Sequence, residues 1–170
     1  VLLNKMNSTV DGEFQRYAVE NGEYAREHFF GPDPRLRQMV SHLTDDDRWK
    51  TYFFYAYGFR SDPNCARCPE TARLVEAIPG MTTAMFSILS PGKGIPPHDG
   101  PYKGVLRYHL GLLVPEPEER VGIRVGGEVA HWREGASLVF DDTYTHEAWN
   151  DTDGTRVVLF VDVVRELREP

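Results

Sequence analysis

Two histidines and two arginines in the second half of the chain have side chains suited to binding a metal and a carboxylate. His98 is followed nine residues later by Arg107, and His146 is followed ten residues later by Arg156. A pair of neutral imidazoles is the usual nitrogen ligand set of a non-haem Fe(II) site. The planar guanidinium of an arginine can bind both oxygens of a carboxylate at once. Together these residues suggest a metal site next to an anion-binding site.

Both arginines lie in segments that read as β-strands with one apolar face. Side chains alternate between the two faces of a strand. In GVLRYHLGLLV, Arg107 and His109 therefore share a face opposite leucines and a tyrosine, and in TRVVLFVDVV, Arg156 and Asp162 lie opposite valines and a leucine. The arginines could lie on a solvated sheet surface. Two such strands, each close in sequence to a histidine, favour instead a cavity lined by both arginines. Burying an arginine without an anionic partner is costly, and a dicarboxylate ligand would supply that partner.

The second half of the chain has the sequence pattern of an all-β domain, whereas the first half is predicted to be helical and irregular. Strands are predicted at 83–90, 104–114, 121–125, 128–132, 136–140, 144–149 and 155–164, whereas the stretch around PPHDG reads as a turn. Short strands separated by Gly, Pro and Asp-Gly are typical of a sandwich or barrel. In the first half we predict helices within 12–30, 34–43 and 69–78 and a strand at 49–59. We expect one domain over 1–170, with 1–80 as its N-terminal part and 81–170 as its core.

The composition excludes several classes of protein. The chain has 170 residues, of which 41% are hydrophobic and 26% are charged, as in an ordinary soluble globular domain. Its net charge of −7 argues against nucleic acid or an anionic membrane surface as a partner. No apolar run is long enough to span a membrane. Because the chain begins at Val1 and not at a methionine, we expect residues to precede it. The sequence leaves open whether those residues include a membrane anchor.

The remaining chemically active residues have simpler interpretations. Cys65 and Cys68 form a single C-x-x-C at the start of a predicted helix, and no second pair completes a zinc site. We interpret them as buried thiols, which suit a reducing cytoplasm. His28, His42 and His131 have no partner motif, so we expect no role for them in the site.

Residues 83–164 resemble the aspartyl/asparaginyl β-hydroxylase family of Fe(II)- and 2-oxoglutarate-dependent dioxygenases. The resemblance is carried, in the family's order and spacing, by FSILSPGKGIPPHDGPYKGVLRYHLGL, WREGASLVFDDTYTHEAWND and TRVVLFVDV. WKTYFFYAYG and CPETARLVEAIPG are similar to segments that precede the catalytic core in bacterial members, including the related lipid A hydroxylases. The family implies a double-stranded β-helix, which is a jelly-roll or cupin-like barrel, and an oxidoreductase that uses O₂.

The resemblance also implies roles for individual residues. His98 and His146 would be the iron ligands. Arg156 and Ser87 would hold the distal carboxylate of the co-substrate 2-oxoglutarate. Arg107 and His109 would contact the end of 2-oxoglutarate that chelates the metal through its carboxylate and keto groups. Arg107 is therefore counted among the catalytic residues.

One ligand common in such oxygenases is missing. Most use two histidines and an acid that lies two residues after the first histidine. Here that position is Gly100, and the intervening Asp99 should point away from the metal on an extended segment. The family also lacks this acid, which implies that a water fills the position. We expect that an aspartate introduced at position 100 would recreate the common ligand set.

The sequence is compatible with more than one substrate and more than one reaction. Vertebrate family members carry a substrate-binding arginine where this chain has Val105, so an amino-acid, peptidyl or acyl substrate is possible. A 2-oxoglutarate-dependent halogenase on the same scaffold is one alternative, because an open iron position can also take a halide. A non-oxygenase, cupin-like metal-binding module is the other. Cupins usually carry an H-x-H pair, which this chain lacks, and they need no dicarboxylate clamp such as Arg156.

Overall fold

The computed structural model describes residues 46–165, which form ten strands, two short helices and one 3₁₀ turn. The strands are β1 Trp49–Ala56, β2 Phe59–Arg60, β3 Met81–Leu89, β4 Lys93–His98, β5 Val105–Leu113, β6 Val121–Val125, β7 Glu128–His131, β8 Ser137–Phe140, β9 His146–Asn150 and β10 Arg156–Val164. The helices are α1 Asp62–Arg67 and α2 Pro69–Glu76, and Glu118–Arg120 forms the 3₁₀ turn. The helices predicted within 12–30 and 34–43 lie outside the described residues, as do His28 and His42.

Two antiparallel sheets face each other, as predicted for a sandwich or barrel. The larger sheet has the order β2-β1-β3-β10-β5-β8, and the smaller has the order β4-β9-β6-β7. The single strand predicted at 49–59 is broken by a turn at Tyr57 and Gly58 into β1 and β2, which pair with each other. Strand β1 also pairs with β3, which continues the sheet of the core. None of the helices described between residues 46 and 165 is long and apolar enough to cross a bilayer.

The predicted alternation of faces on β5 and β10 is confirmed. Leu110 and Leu112 of β5 join Val157 and Leu159 of β10 in an apolar cluster on the outer face of the larger sheet. Helices α1 and α2 cover this cluster with small side chains, among them the two cysteines. Fully burying a valine or leucine stabilises the fold by about 1.5–3 kcal/mol, so this face fixes which side of β5 and β10 turns inward.

The thiols of Cys65 and Cys68 are free and buried in that cluster. Burial raises the pKa of both thiols, which makes them poor nucleophiles and poor metal ligands. The interpretation as buried thiols at a helix start is confirmed, since α2 begins directly after Cys68.

The turn predicted around PPHDG is wrong for its first part, because 93–98 form strand β4. Pro96 and Pro97 argue against a strand when only the sequence is considered, since a proline cannot donate to a sheet ladder. Strand β4 tolerates both because it lies at the edge of the smaller sheet, where it pairs with β9 alone. Its register breaks between Ile95 and His98, and His98 then lies opposite His146.

Candidate functional site

His98 and His146 are cross-strand partners at the ends of two paired strands. His98 ends β4, His146 begins β9, and their ring centroids lie 4.1 Å apart. The Nδ1 atom of His98 lies 2.8 Å from the carbonyl oxygen of Pro96, and Nδ1 of His146 lies 2.9 Å from that of Tyr144. A carbonyl oxygen can only accept, so each Nδ1 carries the proton and each Nε2 carries the lone pair. This tautomer leaves Nε2 of each ring able to bind a metal.

The donor set fits the iron that the sequence predicts. Burial, together with the charges of nearby groups such as Arg107, lowers the pKa of His146 to about 4, so its imidazole is neutral near pH 7. Metal binding needs this neutral form. Within residues 46–165, no group of three or more His, Cys, Asp and Glu side chains converges on one point. The histidine pair would therefore be the whole protein contribution to the metal from this part of the chain.

Gly100 is packed against a carboxylate, which accounts for its missing side chain. A Cβ at this position would lie 2.0 Å from Oδ2 of Asp142. The backbone N–H of Gly100 also donates to the carbonyl oxygen of Asp142 at 2.7 Å. An aspartate at position 100 would have to displace the Asp142 carboxylate, so it would not simply recreate the common ligand set.

Arg156 is buried without a carboxylate partner among the described residues. Its side chain is 1% exposed. Nη1 donates to the carbonyl oxygen of Ser87 at 2.9 Å and to its Oγ at 3.2 Å, and the guanidinium lies 4.7 Å from the centre of the Trp132 ring. Burial lowers the pKa of Arg156 to about 9, which still leaves it charged at neutral pH. All of these partners are neutral, so the charge has no counter-ion within residues 46–165.

Ser87 is arranged to donate a hydrogen bond beside that charge. Its Oγ accepts from Nη1 of Arg156 and from Nε1 of Trp49, the latter at 3.1 Å. Since both contacts use its lone pairs, its own proton is available to an acceptor elsewhere. Arg156 and Ser87 together can bind one carboxylate.

His109 lies in an aromatic setting between the two sheets. Its ring centroid is 5.9 Å from that of Trp132, 5.1 Å from that of Phe140 and 5.2 Å from that of Phe160. Neither ring nitrogen has a hydrogen-bond partner among the described residues. Burial lowers the pKa of His109 well below its usual value, and the charge of Arg107 acts in the same direction. The imidazole is therefore neutral, with one donor and one acceptor unused.

Arg107 is held by two carboxylates. Its Nε donates to Oδ1 of Asp162 at 2.9 Å and its Nη2 to Oδ2 at 3.2 Å. Nη2 also lies 2.9 Å from Oδ2 of Asp142, and the guanidinium covers the Phe160 ring at 4.2 Å. These contacts fix the guanidinium between the two aspartates.

A cavity of about 210 Å³ between the sheets brings all six predicted site residues together. Ser87, His98, Arg107, His109, His146 and Arg156 line it. Much of the remaining lining is apolar, including Phe53, Met85 and Phe160, which pack into one cluster. His131 does not line the cavity; its Nδ1 lies 3.0 Å from the carbonyl oxygen of Val121, and its ring meets the edge of Trp149.

Sequence reasoning assigned no specific contact to three residues that shape the site. Asp162 had a signal, since alternation along β10 places it on the face of Arg156. Asp142 had only its nearness to His146, which predicted either a residue that supports the metal ligands or a turn residue. Trp132 follows β7 and carries no periodic signal, yet it contacts both Arg156 and His109.

Comparison with known sequences identifies one family. Its profile, described as aspartyl/asparaginyl β-hydroxylase, matches residues 9–166. The chain is 57% identical over 131 residues to an ornithine lipid ester-linked acyl 2-hydroxylase from Rhizobium tropici, covering 77% of this chain and 47% of that protein. It is 36% identical over 126 residues to the human aspartyl/asparaginyl β-hydroxylase, covering 71% of this chain and 16% of that protein. The chain thus spans about half the length of the first relative and a small part of the second.

Solved structures agree on the fold. A Pseudomonas putida prolyl-4-hydroxylase superposes with a TM-score of 0.63 at 13% identity, covering 96% of this chain and 92% of that one. A Trichoplax adhaerens prolyl hydroxylase superposes with a TM-score of 0.60 at 11% identity, covering 95% of this chain and 83% of that one. The expected double-stranded β-helix is confirmed. The profile match and the sequence identities show that the chain belongs to the aspartyl/asparaginyl β-hydroxylase family.

Proposed function

We propose that this chain is an Fe(II)- and 2-oxoglutarate-dependent hydroxylase that inserts one oxygen atom into a C–H bond of an acyl substrate, with release of succinate and CO₂. The observation that carries the proposal is the buried charge of Arg156, which has no carboxylate partner in residues 46–165 and lies beside a serine hydroxyl able to donate. A small dicarboxylate completes this arrangement. Membership of the hydroxylase family supports the same conclusion.

The cavity suits 2-oxoglutarate at both ends. Its distal carboxylate would pair with Arg156 and accept from Ser87. Its other end would lie toward the histidine pair, where neutral His109 offers one unused donor and the clamped guanidinium of Arg107 offers a positive edge. Leaving a buried charge without its partner typically costs about 3–5 kcal/mol, so the Arg156 contact should dominate affinity for the co-substrate.

His98 and His146 would hold the iron through Nε2. Fe(II) bound there would supply the redox chemistry for O₂ activation and C–H cleavage. The protein fixes each ring through its Nδ1 contact, and the aromatic lining around His109 excludes water from the reacting groups. Asp142 keeps a carboxylate close to Gly100, which disfavours an anionic halide there and favours hydroxylation over halogenation.

An acyl chain is the substrate class that the cavity wall suits best. Phe53, Met85 and Phe160 offer an apolar surface along the larger sheet. The Rhizobium relative is named for hydroxylation at position 2 of an ester-linked acyl group. By that likeness we propose the carbon next to the ester carbonyl as the target. Val105, in place of the substrate-binding arginine of vertebrate members, removes one reason to expect an aspartyl side chain.

The test measures succinate release from 2-oxoglutarate with Fe(II), O₂ and lipid extract, and identifies the lipid product by mass spectrometry. We expect lipid-stimulated succinate and a product heavier by one oxygen atom, whether or not chloride is present. A product that carries chlorine only in chloride buffer would replace the hydroxylase with a halogenase. Absence of succinate under all conditions would overturn both.

Two variants make this test specific. Arg156→Ala should raise the KM for 2-oxoglutarate at least about a hundredfold, as expected for an unpaired buried charge. Arg124→Ala is the matched control, because Arg124 pairs with Glu147 and lies over Trp149, away from the cavity lining. An unchanged KM in Arg156→Ala would mean that the co-substrate binds elsewhere.

A further inference from the structure

Trp132, just after β7, lies against the arginine at the distal end of the cavity. Its side chain is 1% exposed and packs in an apolar cluster between the sheets. The centre of its ring lies 4.7 Å from the guanidinium carbon of Arg156, and the ring stacks on His109 at a centroid distance of 5.9 Å. One buried ring therefore contacts residues from both ends of the proposed co-substrate site.

A glycine on β5 allows the chain to bring Trp132 into the interior. Gly111 lies on the inward face of β5, and a Cβ there would lie 2.2 Å from the carbonyl oxygen of Arg133. Its backbone N–H donates to the carbonyl oxygen of Ala136 at 3.0 Å, and its own carbonyl oxygen accepts from the N–H of Gly135 at 2.9 Å. These hydrogen bonds hold the segment that carries Trp132 against β5.

Packing alone does not explain a tryptophan at this position. Its Nε1 is buried and has no hydrogen-bond partner among residues 46–165. A buried indole N–H usually has a partner, and leaving it without one costs free energy that a phenylalanine would avoid. Compared with other aromatic rings, the indole attracts a cation over its face most strongly. The residue type therefore indicates that the ring serves Arg156.

The ring completes the immobilisation of the Arg156 guanidinium. Ser87 holds it through Nη1, whereas Nε has no hydrogen-bond partner within the described part of the chain. A flat ring over the guanidinium limits its rotation and excludes water from that side. A carboxylate then meets an arginine that is already oriented and dehydrated, so less free energy is lost when the two groups pair.

We propose that Trp132 is a positioning residue for 2-oxoglutarate, which raises the affinity for the distal carboxylate by holding the guanidinium of Arg156 in its binding orientation. The inference rests on the proposed function in taking 2-oxoglutarate as the co-substrate. His109 keeps its contacts with the rings of Phe140 and Phe160 when Trp132 is replaced, so we expect little effect on binding of the keto-acid end.

Calorimetry with two chain-matched ligands tests this role without turnover. 2-Oxoglutarate and 2-oxopentanoate have the same number of carbons and the same keto acid, and only the first has a distal carboxylate. Each is titrated into the protein loaded with Mn(II). We expect the wild type to bind 2-oxoglutarate at least about a hundredfold more tightly, as for a buried charge that gains its partner. Trp132→Leu should reduce this ratio about tenfold and leave the Kd for 2-oxopentanoate unchanged.

Further variants test whether the effect acts through Arg156. Trp132→Phe keeps a flat ring and should retain the ratio to within about threefold. In an Arg156→Ala background, Trp132→Leu should change neither Kd by more than about twofold, because the contact is already lost. Trp149→Leu is the matched control, since Trp149 lies 5.8 Å from the guanidinium of Arg124 and outside the cavity lining. It should keep both affinities.

The outcomes distinguish this role from a purely structural one. Equal weakening of both ligands by Trp132→Leu, or a full effect of Trp132→Leu in the absence of Arg156, would overturn it. If Trp132→Leu shows no cooperative thermal unfolding, Trp132→Met takes its place with the same expectation, because its flexible side chain fills the space without a ring. A wild-type preference that survives the loss of the ring would overturn the role of Trp132 alone, whereas equal wild-type binding of both ligands would overturn the proposed co-substrate as well.

Discussion

Arg107 and Arg156 have the same side chain in opposite electrostatic settings. Arg107 is shared by two carboxylates, while Arg156 contacts the hydroxyl and carbonyl oxygens of Ser87 and the ring of Trp132. Because Arg156, unlike Arg107, has no carboxylate partner among the described residues, an anionic ligand gains more by binding at Arg156.

Gly100 provides a prediction at the scale of one residue. Gly100→Ala places a methyl group 2.0 Å from the Asp142 carboxylate that Arg107 holds. We expect it to lower the free energy of unfolding by about 1–3 kcal/mol, as in other overpacked sites. Urea denaturation followed by circular dichroism measures the change.

Gly127→Ala is the matched control, because a Cβ there meets nothing within 4 Å. It should change the free energy of unfolding by no more than about 0.5 kcal/mol. Equal stability of the two variants would show that the Asp142 carboxylate moves aside at no cost and does not exclude a side chain at position 100.

At the scale of elements, β4 and β9 form the proposed metal site through the same local arrangement. Each carries one histidine whose Nδ1 contacts the carbonyl oxygen two residues earlier, and strand pairing brings the two rings together. The edge position of β4 allows Pro96 and Pro97 to precede His98 without loss of interior sheet hydrogen bonds. Pairing of these two strands, rather than either motif alone, creates the site.

Replacing either histidine should therefore abolish stoichiometric metal binding. We expect about one Mn(II) or Fe(II) per wild-type chain and none retained by His98→Ala or His146→Ala, since one imidazole is a weak site. Inductively coupled plasma mass spectrometry after gel filtration measures the content. His131→Ala, which changes a histidine outside the cavity, should retain the metal; full retention in the His98→Ala, His146→Ala double variant would refute the assignment.

At the scale of the whole molecule, the candidate site draws its residues from both sheets. Ser87 and Arg156 belong to the larger sheet, and His98 and His146 belong to the smaller. A co-substrate bound at both ends would bridge them, and a ligand that binds only the folded state stabilises that state in proportion to its affinity.

Thermal unfolding should show this bridge. With Mn(II) present and 2-oxoglutarate at about a hundredfold excess over its Kd, we expect the Tm to rise by roughly 5–10 °C. Pyruvate, which has the keto acid without the distal carboxylate, should give a much smaller shift, and Arg156→Ala should show little response to 2-oxoglutarate. An equal shift with pyruvate would mean that Arg156 does not hold the distal carboxylate.

The sequence by itself determined most strands of the β core, the inward faces of β5 and β10, and six of the residues that line the cavity. These follow from local rules: alternation along a strand, the side-chain chemistry of His and Arg, and motifs in a family's order. Strand β4 was not predicted, because two prolines in a row argue against a strand. They are tolerated here only because β4 lies at a sheet edge, and that position depends on its pairing with β9. Tertiary structure alone decided that Asp142 fills the space over Gly100 and shares Arg107 with Asp162, because these contacts join residues far apart in the chain.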